Sequence, residues 1–460
     1  MTPAQTRFSL FRNAITIFGA ALATTGALLF LAFFLLELAG MHTNPYLGML
    51  FFLVCPGLFV AGLVLIPIGV WLAHRRDAAG LKAWRPTWPK IDLNETVQRR
   101  AAFIFVASTI ANVLIVSVAA YSGIEYMDSP QFCGQLCHEV MEPEWAGYQE
   151  GPHSRVVCVQ CHIGPGANWF VKSKLSGLRQ VYAVTFNTHS RPIPSPVHDL
   201  RPARDTCEQC HWPEKFHGDK IRTIRTFADD EANTESVTTL RMHIGGINRL
   251  DKSATGIHWH VSQMNRIEYI ATDDKRQVIP YVKLTDGQGT VTEFFAEGVT
   301  DAASLAGERR VLDCVDCHNR PSHTFAYSAE RAVDDAIAAG GFDPKMPFIR
   351  REAVKVLRAS YADTAGAFKG IEDGLRAFYK DYPDVPRASV DRAVATARHA
   401  YERNVFPSMN VTWGSYANNV GHSDPGPSPF PGCYRCHDEN HKTKQGKAIS
   451  QDCSLCHTIE

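Results

Sequence analysis

Three stretches near the N-terminus are apolar on every side rather than on one face: 14–36, 46–73 and 101–121. Each is long enough to cross a hydrocarbon core of about 30 Å as a helix, which takes about 20 residues. Pro56 and Pro67 fall inside the second stretch and predict kinks, which a membrane helix tolerates when neighbouring groups satisfy the freed carbonyls. Ala21-Leu22-Ala23 resembles a signal-peptide cleavage site, but the apolar run continues well past it, so the first stretch is read as a retained helix. Beyond the third stretch the pattern changes. Segment 166–184 mixes Trp169, Phe170, Leu175, Leu178 and Val181 with Lys172, Lys174 and Arg179, as suits a helix lying in a headgroup layer or one packed inside the protein. A proline-rich connection covers 191–203. Short runs at 221–227, 237–242, 266–271, 278–283 and 291–295, separated by Asp, Asn and Gly turns, predict strands. Helical periodicity returns at 328–339, 348–361, 365–379 and 389–405. These shifts divide the chain into a three-helix membrane anchor over 1–123, a domain over 124–216, a β-rich insert over 217–310 and a helical C-terminal domain over 311–460. The predicted fold is mainly α and irregular, with an N-terminal three-helix transmembrane anchor and a small β-rich insert.

Charge adds topology. Lys plus Arg and Asp plus Glu both number 47 in 460 residues, so no global basic excess argues for a nucleic-acid partner. Locally the balance breaks. Between the second and third apolar stretches stand Arg75, Arg76, Lys82, Arg85, Lys90, Arg99 and Arg100, whereas the loop after the first stretch has neither Lys nor Arg. By the positive-inside rule the basic loop is cytoplasmic. Everything after 121 is then predicted on the periplasmic side of the cytoplasmic (inner) membrane, in a multi-pass arrangement.

The chemistry sits in that exported part. Cys158-Val-Gln-Cys161-His162, Cys207-Glu-Gln-Cys210-His211, Cys314-Val-Asp-Cys317-His318, Cys433-Tyr-Arg-Cys436-His437 and Cys453-Ser-Leu-Cys456-His457 have the C-x-x-C-H spacing of covalent haem c, in which two thiols add to the porphyrin vinyls and the adjacent histidine meets the iron. Cys133-Gly-Gln-Leu-Cys137-His138 carries one extra residue between its cysteines. Zinc is the bland alternative, but a structural zinc site wants four ligands from paired elements, and here a His stands directly behind every second Cys. The expectation is six covalently attached haem c groups and a multihaem electron-transfer protein. The motifs take twelve of thirteen cysteines, leaving Cys55 in an apolar stretch as an inert thiol.

A low-spin transfer haem needs a second axial ligand. Besides the motif histidines His138, His162, His211, His318, His437 and His457, the favoured donors are His153, His217, one of His258 and His260, His323, His422 and His441. The segment Gly256-Ile257-His258-Trp259-His260 would place two imidazoles on one side of a strand. His189, His198, His243 and His399 rank lower. Any of these could instead be an ordinary surface imidazole. Met141, three residues after His138, either offers a thioether to the iron or packs on the porphyrin.

The run FCGQLCHEVMEPEW, then GPHSRVVCVQCHIGPG and TCEQCHWPEKF, all behind a membrane helix, resembles the NapC/NirT family of membrane-anchored cytochromes over about 101–216. The resemblance implies a quinol site at the membrane-facing first haem and onward transfer to a periplasmic cytochrome or reductase in anaerobic respiration. It places a basic residue beside the quinol where Lys172 and Lys174 stand, with Asp128 or Glu139 as proton acceptor and Met141 near the iron. The chain departs from the family in its two additional helices, its stretched first motif and its long C-terminal extension. Three function classes follow: a quinol-oxidising cytochrome, an enzyme only in the quinol dehydrogenase sense; a multihaem reductase of a small oxyanion, which would need an open iron; and a haem-wiring subunit that docks other subunits of a membrane complex.

Overall fold

The computed structural model describes residues 14–38, 55–79, 92–164, 167–197, 200–247, 254–423 and 428–460. It separates into two compact units, Met1–Met127 and Asp128–Glu460.

Among the described residues the first unit holds three helices: α1 (Ala14–Leu38), α2 (Cys55–Ala79) and α3 (Thr96–Met127). All three are long and apolar enough to cross a membrane. Small residues let α1 and α2 approach at backbone distance. A Cβ placed on Gly62 would stand 2.4 Å from Ala23 N and 2.5 Å from Gly19 O, so Gly62 is needed for that approach. Pro67 lies inside α2, and Cys55 is buried at its first turn. Phe103, Val106, Ile110, Val113, Leu114 and Tyr121 on α3 are all exposed, as lipid-facing side chains would be. The helix covers the whole of the predicted third span, 101–121, and runs on unbroken through Ser122 and Gly123. The start of the second predicted span, 46–54, lies outside the described residues.

The second unit begins with the stretched motif. Its extra residue is absorbed by a single π-helical turn, Phe132–Leu136, the usual local answer to a one-residue insertion in a helix. Gly134 within that turn faces Trp145, and a Cβ there would lie 2.1 Å from the indole, so no larger residue fits. Helix α4 (His138–Gln149) follows directly, then α5 (Cys158–His162), α6 (Ala167–Thr185) and α7 (Ala203–Cys207).

The β-rich insert forms two separate antiparallel sheets plus a short pair, not a single small sheet. Strands β1 (Lys220–Phe227) and β2 (Glu235–Met242) form a hairpin whose outer edge takes β9 (His457–Ile459) from the extreme C-terminus, in register Leu240↔Ile459. Two-residue strands β3 (Gly246–Ile247) and β4 (Ala254–Thr255) pair beside it. The other sheet has the order β7-β6-β5-β8, with β5 at Arg266–Ala271, β6 at Tyr281–Thr285, β7 at Val291–Phe295 and β8 at Glu308–Val311. The strand expected at 278–283 starts later, since Pro280 has no N–H to give the ladder. His258 and His260 sit on a 3-10 turn, Ile257–Val261, rather than on a strand, because Gly256 turns the chain at φ +67° just before it.

After α8 (Cys314–Cys317) come α9 (Ala329–Ala338), α10 (Ile349–Arg358), α11 (Thr364–Tyr379) and α12 (Arg387–Asn404), close to their predicted positions. Ser328 accepts a hydrogen bond from Arg331 N and Asp363 from Gly366 N, which fixes two of the helix starts. Val333, Ile349, Ala353, Leu357, Ile371 and Leu375 close the main apolar core between these four helices.

Candidate functional site

Each motif occupies one tight turn. In α5 and α8 the two cysteines lie three residues apart within one turn of helix; in the third, fifth and sixth motifs the first cysteine ends α7 or lies in a 3-10 turn, Gly432–Arg435 or Cys453–Leu455, and the second follows just past it. The following histidine is anchored by its own N–H: His211 donates to Cys207 O at 2.7 Å, His318 to Cys314 O at 2.8 Å and His437 to Cys433 O at 3.1 Å. No cysteine is paired in a disulfide, and no group of three His, Cys, Asp or Glu side chains among the described residues converges on a point that would hold a bare metal ion. The zinc reading therefore lacks its ligand set.

The histidines pair instead, one from a motif with one from elsewhere. Ring centres lie 5.9 Å apart for His211 and His153, 6.2 Å for His162 and His323, 5.7 Å for His437 and His260, and 6.2 Å for His457 and His422. A metal–imidazole bond is about 2 Å, so two imidazoles on opposite sides of one iron have centres roughly 6 Å apart once the ring radii are added. The four separations match that value. Nitrogen Nδ1 is meanwhile held by backbone oxygen in His153 (Pro321 O, 2.9 Å), His323 (Glu144 O, 2.8 Å), His260 (Ile257 O, 2.8 Å), His422 (Ser423 O, 2.8 Å) and His437 (Ser450 O, 2.7 Å). Such bonds fix the tautomer with Nδ1 as donor and leave Nε2 as the basic atom, as in metal-ligating histidine. His258 is held the same way by Ile244 O at 2.9 Å. It also lies within charge range of His318 of the fourth motif, whose titration burial lowers first and the charge of His258 lowers next. The paired thiols and facing imidazoles fit covalent haem.

Supporting residues fix these rings. Arg320 binds both Glu144 carboxylate oxygens at 2.8 and 3.0 Å and lies 4.0 Å over the Tyr416 ring, and Glu144 in turn stands 3.3 Å from His323 Nδ1. Burial, then the charge of Glu144, pushes the Tyr416 hydroxyl up to about 12. Asp316, inside the fourth motif and buried, accepts from Tyr269 Oη at 2.6 Å and from Asp313 N at 2.6 Å, and stands 3.3 Å from Arg310 Nε. Its backbone oxygen accepts from Arg435 of the fifth motif at 2.6 Å and from Asn419 at 2.9 Å. One acidic residue thus joins the β5–β8 sheet, the fourth motif and the fifth. Motif spacing alone gives no sign of it, since its position between the cysteines accepts any residue.

One expected distal ligand is placed otherwise. His441 is buried with both ring nitrogens engaged, Nδ1 with Asp438 at 2.8 Å and Nε2 with Ile279 O at 2.6 Å, which leaves no lone pair for iron. His217 is exposed, with its Nδ1 held by Lys215 O at 2.7 Å and its Nε2 left free in the same way as the paired imidazoles. Among the lower-ranked histidines, His243 bonds Asp219 and His399 bonds Glu150, His198 lies outside the described residues, and both nitrogens of His189 are buried with no hydrogen-bond partner.

At the start of the second unit, Lys174 on α6 lies 3.9 Å from Asp128, and the charges of both reach the Cys133 thiol. Lys172 rests 4.5 Å over the Trp169 ring. Met141 N donates to Cys137 O at 2.9 Å, one turn past the first motif. The outer face of α6 exposes Leu175, Leu178 and Tyr182, with Phe186 just beyond, an apolar stripe at helical spacing.

Comparison with known proteins gives two matches. The N-terminal region of the NapC/NirT cytochrome c family matches residues 95–192. Cytochrome c-type protein ImcH of Geobacter sulfurreducens is 42% identical over 453 residues, 97% of this chain and 88% of that protein. No solved structure matches.

Proposed function

The chain belongs to the NapC/NirT cytochrome c family, and from that premise we propose that it is a membrane-anchored hexahaem cytochrome c that oxidises membrane quinol and passes the electrons to a periplasmic cytochrome or reductase. The observation that carries this reading is the facing of four motif histidines by a second imidazole at 5.7–6.2 Å. Bound there, haem c supplies a one-electron couple without an open coordination position. A reductase of a small oxyanion needs such a position, and the paired imidazoles disfavour it.

Quinol gives up two electrons and two protons. Asp128 and Lys174 stand together beside Cys133, six positions past the end of α3. The Asp128 carboxylate takes up a proton there, and Lys174 orients the quinol oxygen. Lys172 adds positive charge to the same helix, and Met141, one turn past the first motif, would stand near a haem held there. The apolar stripe of α6 supports placement against the headgroup layer.

The test is His138→Ala in the purified, membrane-reconstituted protein. A menaquinol analogue is expected to lose its ability to reduce the remaining haems, while dithionite, which bypasses the anchor, still reduces them. Quinol-driven reduction that survives the substitution would place electron entry elsewhere.

A further inference from the structure

The thiols of the six motifs are neighbours in a particular order. Cys133 of the first motif hydrogen-bonds Cys158 of the second. Cys161 of the second lies within charge range of Cys207 and Cys210 of the third. Cys207 hydrogen-bonds Cys314 of the fourth. Cys317 of the fourth lies near Cys433, and Cys436 near Cys317, which joins the fourth to the fifth. Cys456 of the sixth lies near Cys433 of the fifth.

Hydrogen bonds and ring contacts hold the last three steps in the same order, and His153, just ahead of the second motif, faces His211 of the third at 5.9 Å. Ala203 N, at the head of the third motif's helix, donates to Asp313 Oδ2 beside the fourth at 2.8 Å. Arg435 Nη2 of the fifth donates to Asp316 O of the fourth at 2.6 Å. Cys433 N of the fifth donates to Gly421 O at 2.8 Å, and the next residue, His422, faces His457 of the sixth. Tyr434 of the fifth stacks on that same His422 ring at 4.4 Å.

We infer that the six haem-attachment sites stand in single file in the order of the sequence, and that the sixth, Cys453, Cys456 and His457 with His422, is where electrons leave. Haem groups held by these thiols would be neighbours along the file, each within reach of the next for single-electron transfer. The first site follows α3 by chain connection, and five steps separate it from the last. The last site also carries exposed apolar side chains beside it, Leu455 at 53% and Ile459 at 72%. An exit through one site delivers electrons one at a time, in the form that a ferric monohaem cytochrome c accepts them. Each quinol yields two electrons and two protons, and each electron reduces one ferric acceptor. The inference rests on the quinol reading for the direction of flow, but not for the order of the sites.

Two variants of the full haem-loaded protein test it. In C453S/C456S, haem staining and intact mass give five haems, and a menaquinol analogue still reduces them. Transfer onward to a ferric monohaem cytochrome c is lost, and the EPR signal of the fifth haem shifts while those of the first four stay in place. In C207S/C210S, quinol reduces only the two haems upstream of the gap, whereas dithionite reduces all five. Onward transfer that persists without the sixth site, an EPR change at any haem but the fifth, or quinol reduction of all five haems without the third would each overturn the single file. Should C207S/C210S fail to assemble, the EPR arm of C453S/C456S decides the order alone. Should quinol fail to reduce even the unsubstituted protein, the quinol reading falls, and the same EPR arm still decides the order.

Discussion

In the bundle of α9 to α12, Val333, Ile349, Ala353, Ala367, Ile371 and Leu375 have no exposure at all, and the helices close on one another. Around the six motifs the picture is reversed. Cys161, Cys210, Cys433 and Cys453 are exposed, and the facing imidazoles are only partly covered by protein. The bundle buries its side chains against each other, whereas the motif segments present thiols and imidazoles to a group that the chain does not encode. Apolar burial of about 25 cal/mol per Å² is therefore intrinsic to the first region, and in the second it waits on covalent attachment.

Withholding attachment should break the comparison open most widely. In protein made without haem-attachment machinery, limited proteolysis is expected to cut throughout 128–323 and 406–460 while leaving a resistant fragment over 329–404. Uniform resistance would show that the motif segments fold without haem. Next in size is Asp316→Ala, which strips the partner from Tyr269 and Arg310 at the junction of the β5–β8 sheet and two motifs. Removing one member of such a buried pair costs about 3–5 kcal/mol, read as a lowered denaturant midpoint with disturbed spectra of the fourth and fifth haems. Leu375→Ala is expected to cost about 2–5 kcal/mol in the same titration, yet to leave every haem spectrum in place, because it is fully buried in the core that the four helices close. His260→Ala should have the smallest effect on stability and the most local signature, the conversion of one haem of six from low to high spin by EPR. A change in two haems would mean that His258 depends on His260 for its own placement.

The strands and helices of the second unit were legible to different degrees. The bundle helices came from periodicity, since each has an apolar stripe and a polar face. Strand β8 was not legible because its residues Glu308, Arg309 and Arg310 are charged, and it is held by pairing with β5 and by Arg310 reaching Asp316. Strand β9 was hidden for a related reason. Three residues at the chain end carry no period, and only the exposed edge of β2 makes them a strand.

The sequence by itself determined the six motifs and the three apolar spans, because both depend on neighbours along the chain. A covalent attachment motif is complete within five or six residues, and a membrane helix satisfies its own backbone, so each can be read without a fold. Tertiary structure decided which imidazole faces which motif. His153 reaches His211, His323 reaches His162 and His260 reaches His437 across long intervals of sequence, and nothing local distinguishes them from His441, equally polar, which is spent on Asp438 and Ile279 O. A ligand's identity is set by where Nε2 points once Nδ1 has found its backbone oxygen, and that oxygen can come from a distant segment, as Glu144 O does for His323.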